Sequence, residues 1–255
     1  MSELAGNDAR FRYVLRLADS NLILAQRLGE WIGHGPALEE DIGLANTALD
    51  LLGQARLLLS YAGEVEGRGR TEDDLAFLRD PADFLNVALV EQPNGDFGQT
   101  ILRQFLFDAF QLELFERLVG SDDKRIAEIA AKAVKEVRYH VRYSGGWVVR
   151  LGDGTEESHS RMQQALEVLW PYMNELCDPD ELDAEMARLG VAPLLSDVQA
   201  SWSERVSTVL AEATLKRPAD VYFTWYGKRG QHGEHLGYLL ADMQHLQRTH
   251  PGASW

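Results

Sequence analysis

The sequence predicts an all-α fold, built as a four-helix bundle with additional C-terminal helices. Three observations lead there. The eight prolines (Pro36, Pro81, Pro93, Pro171, Pro179, Pro193, Pro218 and Pro251) leave three long stretches free, 1–35, 37–80 and 94–170. Proline interrupts helices, so its absence marks where long ones can form. Within these stretches apolar residues recur at three-and-four spacing, and no convincing β-alternation occurs anywhere.

The first helix is expected over about Asp8 to Ile32, with Phe11, Val14, Leu15, Ala18, Leu22, Ala25 and Leu28 on one face. GHGP at 33–36 breaks it. The second runs from about Ala37 to Ala62, with Glu39, Glu40 and Asp41 at its positive end. Glycine-rich, charged sequence and a short helix or two lead to the turn signal QPNGD at 92–96. A third long helix spans about Phe97 to Val119, GSDD at 120–123 turns the chain, and the fourth runs from Lys124 to about Leu151. Shorter helical segments follow near 155–170, 181–189, 195–214 and 233–248. Two helical hairpins joined by one longer connection form the ferritin-like arrangement, here read as a single domain over 1–255.

Composition narrows the function. Hydrophobic residues make up 45% and charged residues 25%, as in an ordinary globular protein. A net charge of −15 argues against nucleic-acid backbones and anionic membranes as partners. One cysteine, Cys177, fits a reducing compartment. With no signal-like N-terminus and no apolar run of spanning length, the expected location is the cytoplasm.

Hairpin geometry then aligns four acids. With the first turn near Gly35, Asp19 lies sixteen residues before it and Asp50 fifteen after. With the second near Asp122, Asp108 and Glu136 each lie fourteen residues away. At about 1.5 Å per residue, each acid sits roughly 21–24 Å from its hairpin tip. Asp19 shares a face with Leu15, Leu22 and Ile23, Asp108 with Phe105 and Leu112, Glu136 with Ile129, Ala133, Tyr139 and Tyr143. Asp50 lies beside Gly43, Asn46 and Gly53, a face of small residues.

One acid per helix is the plan of di-iron carboxylate bundles, which also place a histidine three residues after two of the acids. Here those positions hold Gly53 and Tyr139. His140, one position further in KEVRYH, stays on the Glu136 face, but the first two helices offer no second histidine within the layer. The residues favour a polar layer without metal, neutralised by groups such as Lys132 and His140. The alternative is a ferritin-like non-haem iron oxygenase with its own site.

The stretches LGEWIGHGP, LDLLGQAR, LVEQPNGDF, KEVRYH and GEHLGYLLADMQHLQR, taken in order, span most of the chain. The sequence resembles the C-subunit family of bacterial ring-1,2-phenylacetyl-CoA epoxidases. The resemblance implies a structural, catalytically inactive member of a multicomponent monooxygenase of phenylacetate catabolism. It implies a catalytic A subunit as partner, carrying the di-iron centre and the CoA thioester. Further components would deliver electrons from NADPH. No catalytic residue and no cofactor are then expected on this chain.

Near the C-terminus, GKRGQHGEHLG at 227–237 gathers Lys228, Arg229, His232, Glu234 and His235. Lys228, Arg229 and His235 are candidate contacts to a partner or a CoA phosphate. A metal site from His232, Glu234 and His235 is weighed against a plain glycine-rich approach to the last helix, which is favoured. The aromatic run VYFTWYG at 221–227 suits a core or a docking surface. Gly145 and Gly146 suggest a kink or a close helix contact. Cys177, beside DPDE, sits among acids that would raise a thiol pKa, which makes it a poor nucleophile.

Overall fold

A computed structural model of the chain describes residues 3–219 and 225–253, with side chains from residue 6. The chain divides into two compact units, Met1–Pro93 with Trp225–Trp255, and Asn94–Thr224. Among the described residues there are helices and no strand, apart from one isolated bridge between Tyr226 and Gln231. This is the all-α, ferritin-like class expected from the sequence. No helix among the described residues is long and apolar enough to cross a membrane.

The first unit is built on a hairpin of α1 (Glu3–Trp31) and α2 (Leu38–Glu66). The Asp41 carboxylate closes the turn between them by accepting from the amides of Gly33 at 2.9 Å and Gly35 at 3.1 Å. Toward α1, α2 buries Leu44, Ala48, Leu51, Ala55, Leu58 and Ala62, whose alternating four-and-three spacing is that of a coiled-coil seam. The helix runs a turn beyond the expected Ala62. It stops where Gly67 takes a left-handed conformation, φ 69°, and its amide returns to the Gly63 carbonyl.

Helix α3 (Glu72–Phe77) begins with a capping box between Thr71 and Asp74. Two 3₁₀ turns, Pro81–Asp83 and Ala88–Glu91, complete the connection. The chain rejoins this unit at its end with α10 (Glu234–Thr249). There the Gln244 side-chain amide donates to the carbonyls of Ala76 at 3.1 Å and Arg79 at 3.0 Å. The part of the aromatic run at 221–224 lies outside the described residues.

In the second unit α4 (Phe97–Leu118) pairs with α5 (Lys124–Gly152). Asp96 caps the first helix through the Gln99 amide, and Asp123 caps the second through those of Arg125 and Ile126. Gly145 serves close helix contact rather than a kink. A β-carbon there would lie 3.2 Å from the Phe105 ring, so the bare backbone lets α4 and α5 approach.

Around this pair pack α6 (Glu156–Leu169) and α9 (Leu195–Glu212), with α7 (Met173–Cys177) and α8 (Glu181–Arg188) in between. The Trp202 indole donates to the Leu106 carbonyl at 3.2 Å, joining α9 to α4. The nearly buried Glu113 of α4 receives Arg205 from α9 at 2.6 Å and Arg117 at 2.9 Å. Burial alone would raise the Glu113 pKa, but these two guanidinium groups outweigh it and hold it below the usual range.

Candidate functional site

The four acids divide two and two. Asp19 and Asp108 are wholly buried, whereas Asp50 and Glu136 are half-buried. The face expected to bury Glu136 holds for Ile129 and Ala133, but Tyr139 is 46% exposed. Tyr139 stacks on Tyr143 at 6.3 Å and receives Arg142 over its ring, so this edge of α5 is an aromatic surface. Lys132 is exposed as well. Gly53 and Asn46, beside Asp50, also face outward.

Asp19 is held by a group that helical periodicity does not bring into the layer. Arg79, from the connection after α3, grips both carboxylate oxygens, and the Leu85 amide donates to one of them at 2.8 Å. The guanidinium is itself buried, lies 4.2 Å over the Phe84 ring, and donates again to the carbonyls of Leu75 and Asp83. Two donors from a guanidinium and one from a backbone amide make this buried carboxylate one half of an ion pair.

Asp108 is different in kind. Oδ1 accepts from the Gln104 amide at 2.6 Å. The Ser144 hydroxyl lies 2.9 Å from Oδ2 and 2.7 Å from the His140 carbonyl, and it has one proton to give. The single hydroxyl proton serves only one of these two acceptors at a time. Burial pushes Asp108 up from its ordinary 3.8 to about 6, against the opposing pull of His140, Ser144 and Gln104. His140 is fully buried, with Nδ1 3.9 Å from Asp108 Oδ1, beyond hydrogen-bond length.

These residues do not fit a di-iron centre. Gly53 offers no side chain, Tyr139 lies on the surface, and Asp19 is bonded to Arg79. Among the described residues no group of three or more His, Cys, Asp or Glu side chains is placed to hold a metal ion.

The C-terminal candidates separate too. His232 Nδ1 lies 2.9 Å from Glu91 Oε2, and its Nε2 lies 2.8 Å from the Phe84 carbonyl. Glu91, fully buried, also accepts from the Gly233 amide and the Asn86 side chain. Both nitrogens of His232 are thus engaged, and neither is available to a metal. Lys228 is only 7% exposed, and its carbonyl receives Arg16 Nε at 2.9 Å. Arg229 is exposed, stacked on Tyr226, while His235 is half-buried with its carbonyl accepting from Arg27. Cys177 is buried.

The family model described as phenylacetic acid catabolic protein matches residues 2–255. The chain belongs to the phenylacetic acid catabolic protein family. Within that family it is 52% identical over 243 residues to the C subunit of 1,2-phenylacetyl-CoA epoxidase from Escherichia coli (strain K12). The match covers 95% of this chain and 98% of the relative. The resemblance read from LGEWIGHGP to GEHLGYLLADMQHLQR is therefore a relationship over nearly the whole chain.

Proposed function

We propose that this member of the phenylacetic acid catabolic protein family is a non-catalytic structural subunit of a multicomponent phenylacetyl-CoA 1,2-epoxidase. In this reading it works in aerobic phenylacetate catabolism, in the cytoplasm, and pairs with and stabilises a catalytic A subunit that carries the di-iron centre. The observation that carries the reading is near full-length similarity to the C subunit of such an epoxidase. The chemistry of the acids supports it. One is held by Arg79, one is fully buried against Gln104 and Ser144, and the histidine positions hold Gly53 and Tyr139.

A scaffold needs stable helices and a recognisable surface, and it has no need of an open metal layer. The single thiol, Cys177, suits a reducing compartment. The role of Asp108 would then be internal, joining α4 to α5 through Ser144.

Iron analysis tests the proposal. The chain produced alone in iron-supplemented medium should contain essentially none. Purified with the catalytic partner, the pair should contain about two irons, the complement of one di-iron site. Two irons on the isolated chain would refute the scaffold reading and restore the alternative, an oxygenase with its own centre. Replacing Asp108 by Asn and Glu136 by Gln together should leave epoxidase activity of the assembled complex intact.

A further inference from the structure

Helix α2 carries two seams. The first is the buried one against α1. The second is made of Leu38, Ile42, Ala45, Leu49, Leu52 and Arg56, again spaced four and three in alternation. At 100° per residue these six positions fall within an 80°-wide stripe, centred about 120° round the helix from the buried set. Leu38 is 71% exposed, Ile42 51%, Leu49 65% and Leu52 41%. Ile32, just beyond the end of α1, is also exposed.

Four large aliphatic side chains in one row leave several hundred Å² of apolar surface to water, the size that marks an interaction site on a soluble protein. Scattered surface leucines carry no such period. A stripe with a strict two-in-seven repeat is what one helix presents to another, with each side chain entering a gap on the facing helix. Gly53 and Asn46 border the stripe, and a β-carbon at Gly53 would meet nothing within 4 Å. That space can receive an incoming side chain.

We propose that the outer seam of α2 is the docking surface for a helix of the catalytic partner, a deepening that rests on the functional reading above. The length fits a helix. From Leu38 to Leu52 the seam is about 21 Å long, the span of four turns. Charge selects a different chain over a second copy. Glu39, Asp41 and Asp50 flank the stripe, and each copy carries a net charge of −15, so self-association brings like against like. The facing helix is expected to carry its own apolar heptad stripe, with basic or small residues beside it.

The test uses the full chain and the catalytic A subunit of the epoxidase, with the dissociation constant measured by titration calorimetry. Leu49→Arg and, separately, Ile42→Arg place a charge in the seam without touching the buried face. Val168→Arg, at an exposed position of α6, is the control. The seam variants should bind about thirtyfold or more weakly, with unchanged thermal midpoints, while the control stays within about threefold of the parent. If the parent pairs but the seam variants pair equally well, or if all three variants weaken alike, the seam is not the docking surface and the scaffold reading survives. If the parent does not pair with the catalytic partner, the scaffold reading itself fails. If the isolated chain is a dimer that Leu49→Arg makes monomeric, a second copy occupies the seam and the inference is overturned.

Discussion

Arg79 grips the carboxylate of Asp19 inside the first unit, with neither side chain more than 3% exposed. The arginine comes from the irregular connection after α3, so a buried ion pair fastens that connection to the middle of α1.

Breaking this pair from one side should cost more than removing it. Arg79→Met leaves Asp19 charged and buried and is expected to lower stability by about 3–5 kcal/mol. Adding Asp19→Asn should restore most of the loss, because the remaining amide still accepts from Leu85 and carries no charge. Urea unfolding of the two single variants and the double variant measures the coupling. Additive effects would show that the two residues do not act as a pair.

Asp108 gives the opposite pH signature to an ordinary salt-bridged acid. Its folded pKa of about 6 stands above the ordinary 3.8. Its stabilising contribution is therefore complete below pH 3.8 and is lost as pH rises through about 6. Above that pH the buried charge costs about 3 kcal/mol. Asp108→Asn can accept from Gln104 and donate to Ser144 with no charge to bury. The difference in unfolding free energy between variant and parent should grow between pH 4 and 6 and then level off. A flat difference across that range would show that Asp108 does not titrate there.

The Glu91–His232 contact ties the segment before α10 to the 3₁₀ turn at Ala88–Glu91. His232→Ala leaves the buried Glu91 short of a donor and should destabilise the local contact by about 1–3 kcal/mol. Hydrogen exchange should show the loss first in the amides near Gly233 and the opening turn of α10. Exchange unchanged there would show that the other donors to Glu91 suffice.

Two glycines of α5 should respond to alanine with opposite signs. Gly146 has nothing within 4 Å of a would-be β-carbon, so Gly146→Ala should stabilise by up to about 1 kcal/mol through helix propensity. At Gly152 the same atom would lie 2.5 Å from the Ala213 carbonyl oxygen, and Gly152→Ala should destabilise by about 1–3 kcal/mol. Thermal midpoints of the two variants check both signs.

Most helices were legible because proline and glycine mark their ends. Expected and observed boundaries of α4 through α6 agree within a residue or two, and Asp96 and Asp123 cap where the turn signals stand. Helix α7, five residues beside Pro171 and Pro179, is too short to show a period. The site was only half legible. Periodicity places Asp19 and Asp108 in the interior, but it cannot find Arg79, which lies in a connection with no period. It also gave Glu136 an inward face, whereas that residue is half-buried beside the exposed Tyr139. For Asp50 it gave a face of small residues. The neighbours Asn46 and Gly53 do form a face suited to close packing, but that face points out of the chain.

The return of α10 to the first unit sets an order of assembly. Arg16 meets the Lys228 carbonyl across 212 residues of sequence, and Gln244 reaches Ala76 and Arg79 across more than 160. The second unit, by contrast, is one uninterrupted segment. As the chain leaves the ribosome, the α1–α2 hairpin appears first but cannot be sealed until the last helix has been made. The unit that begins first is completed last, and through most of synthesis its unfinished apolar surface is what a chaperone would find.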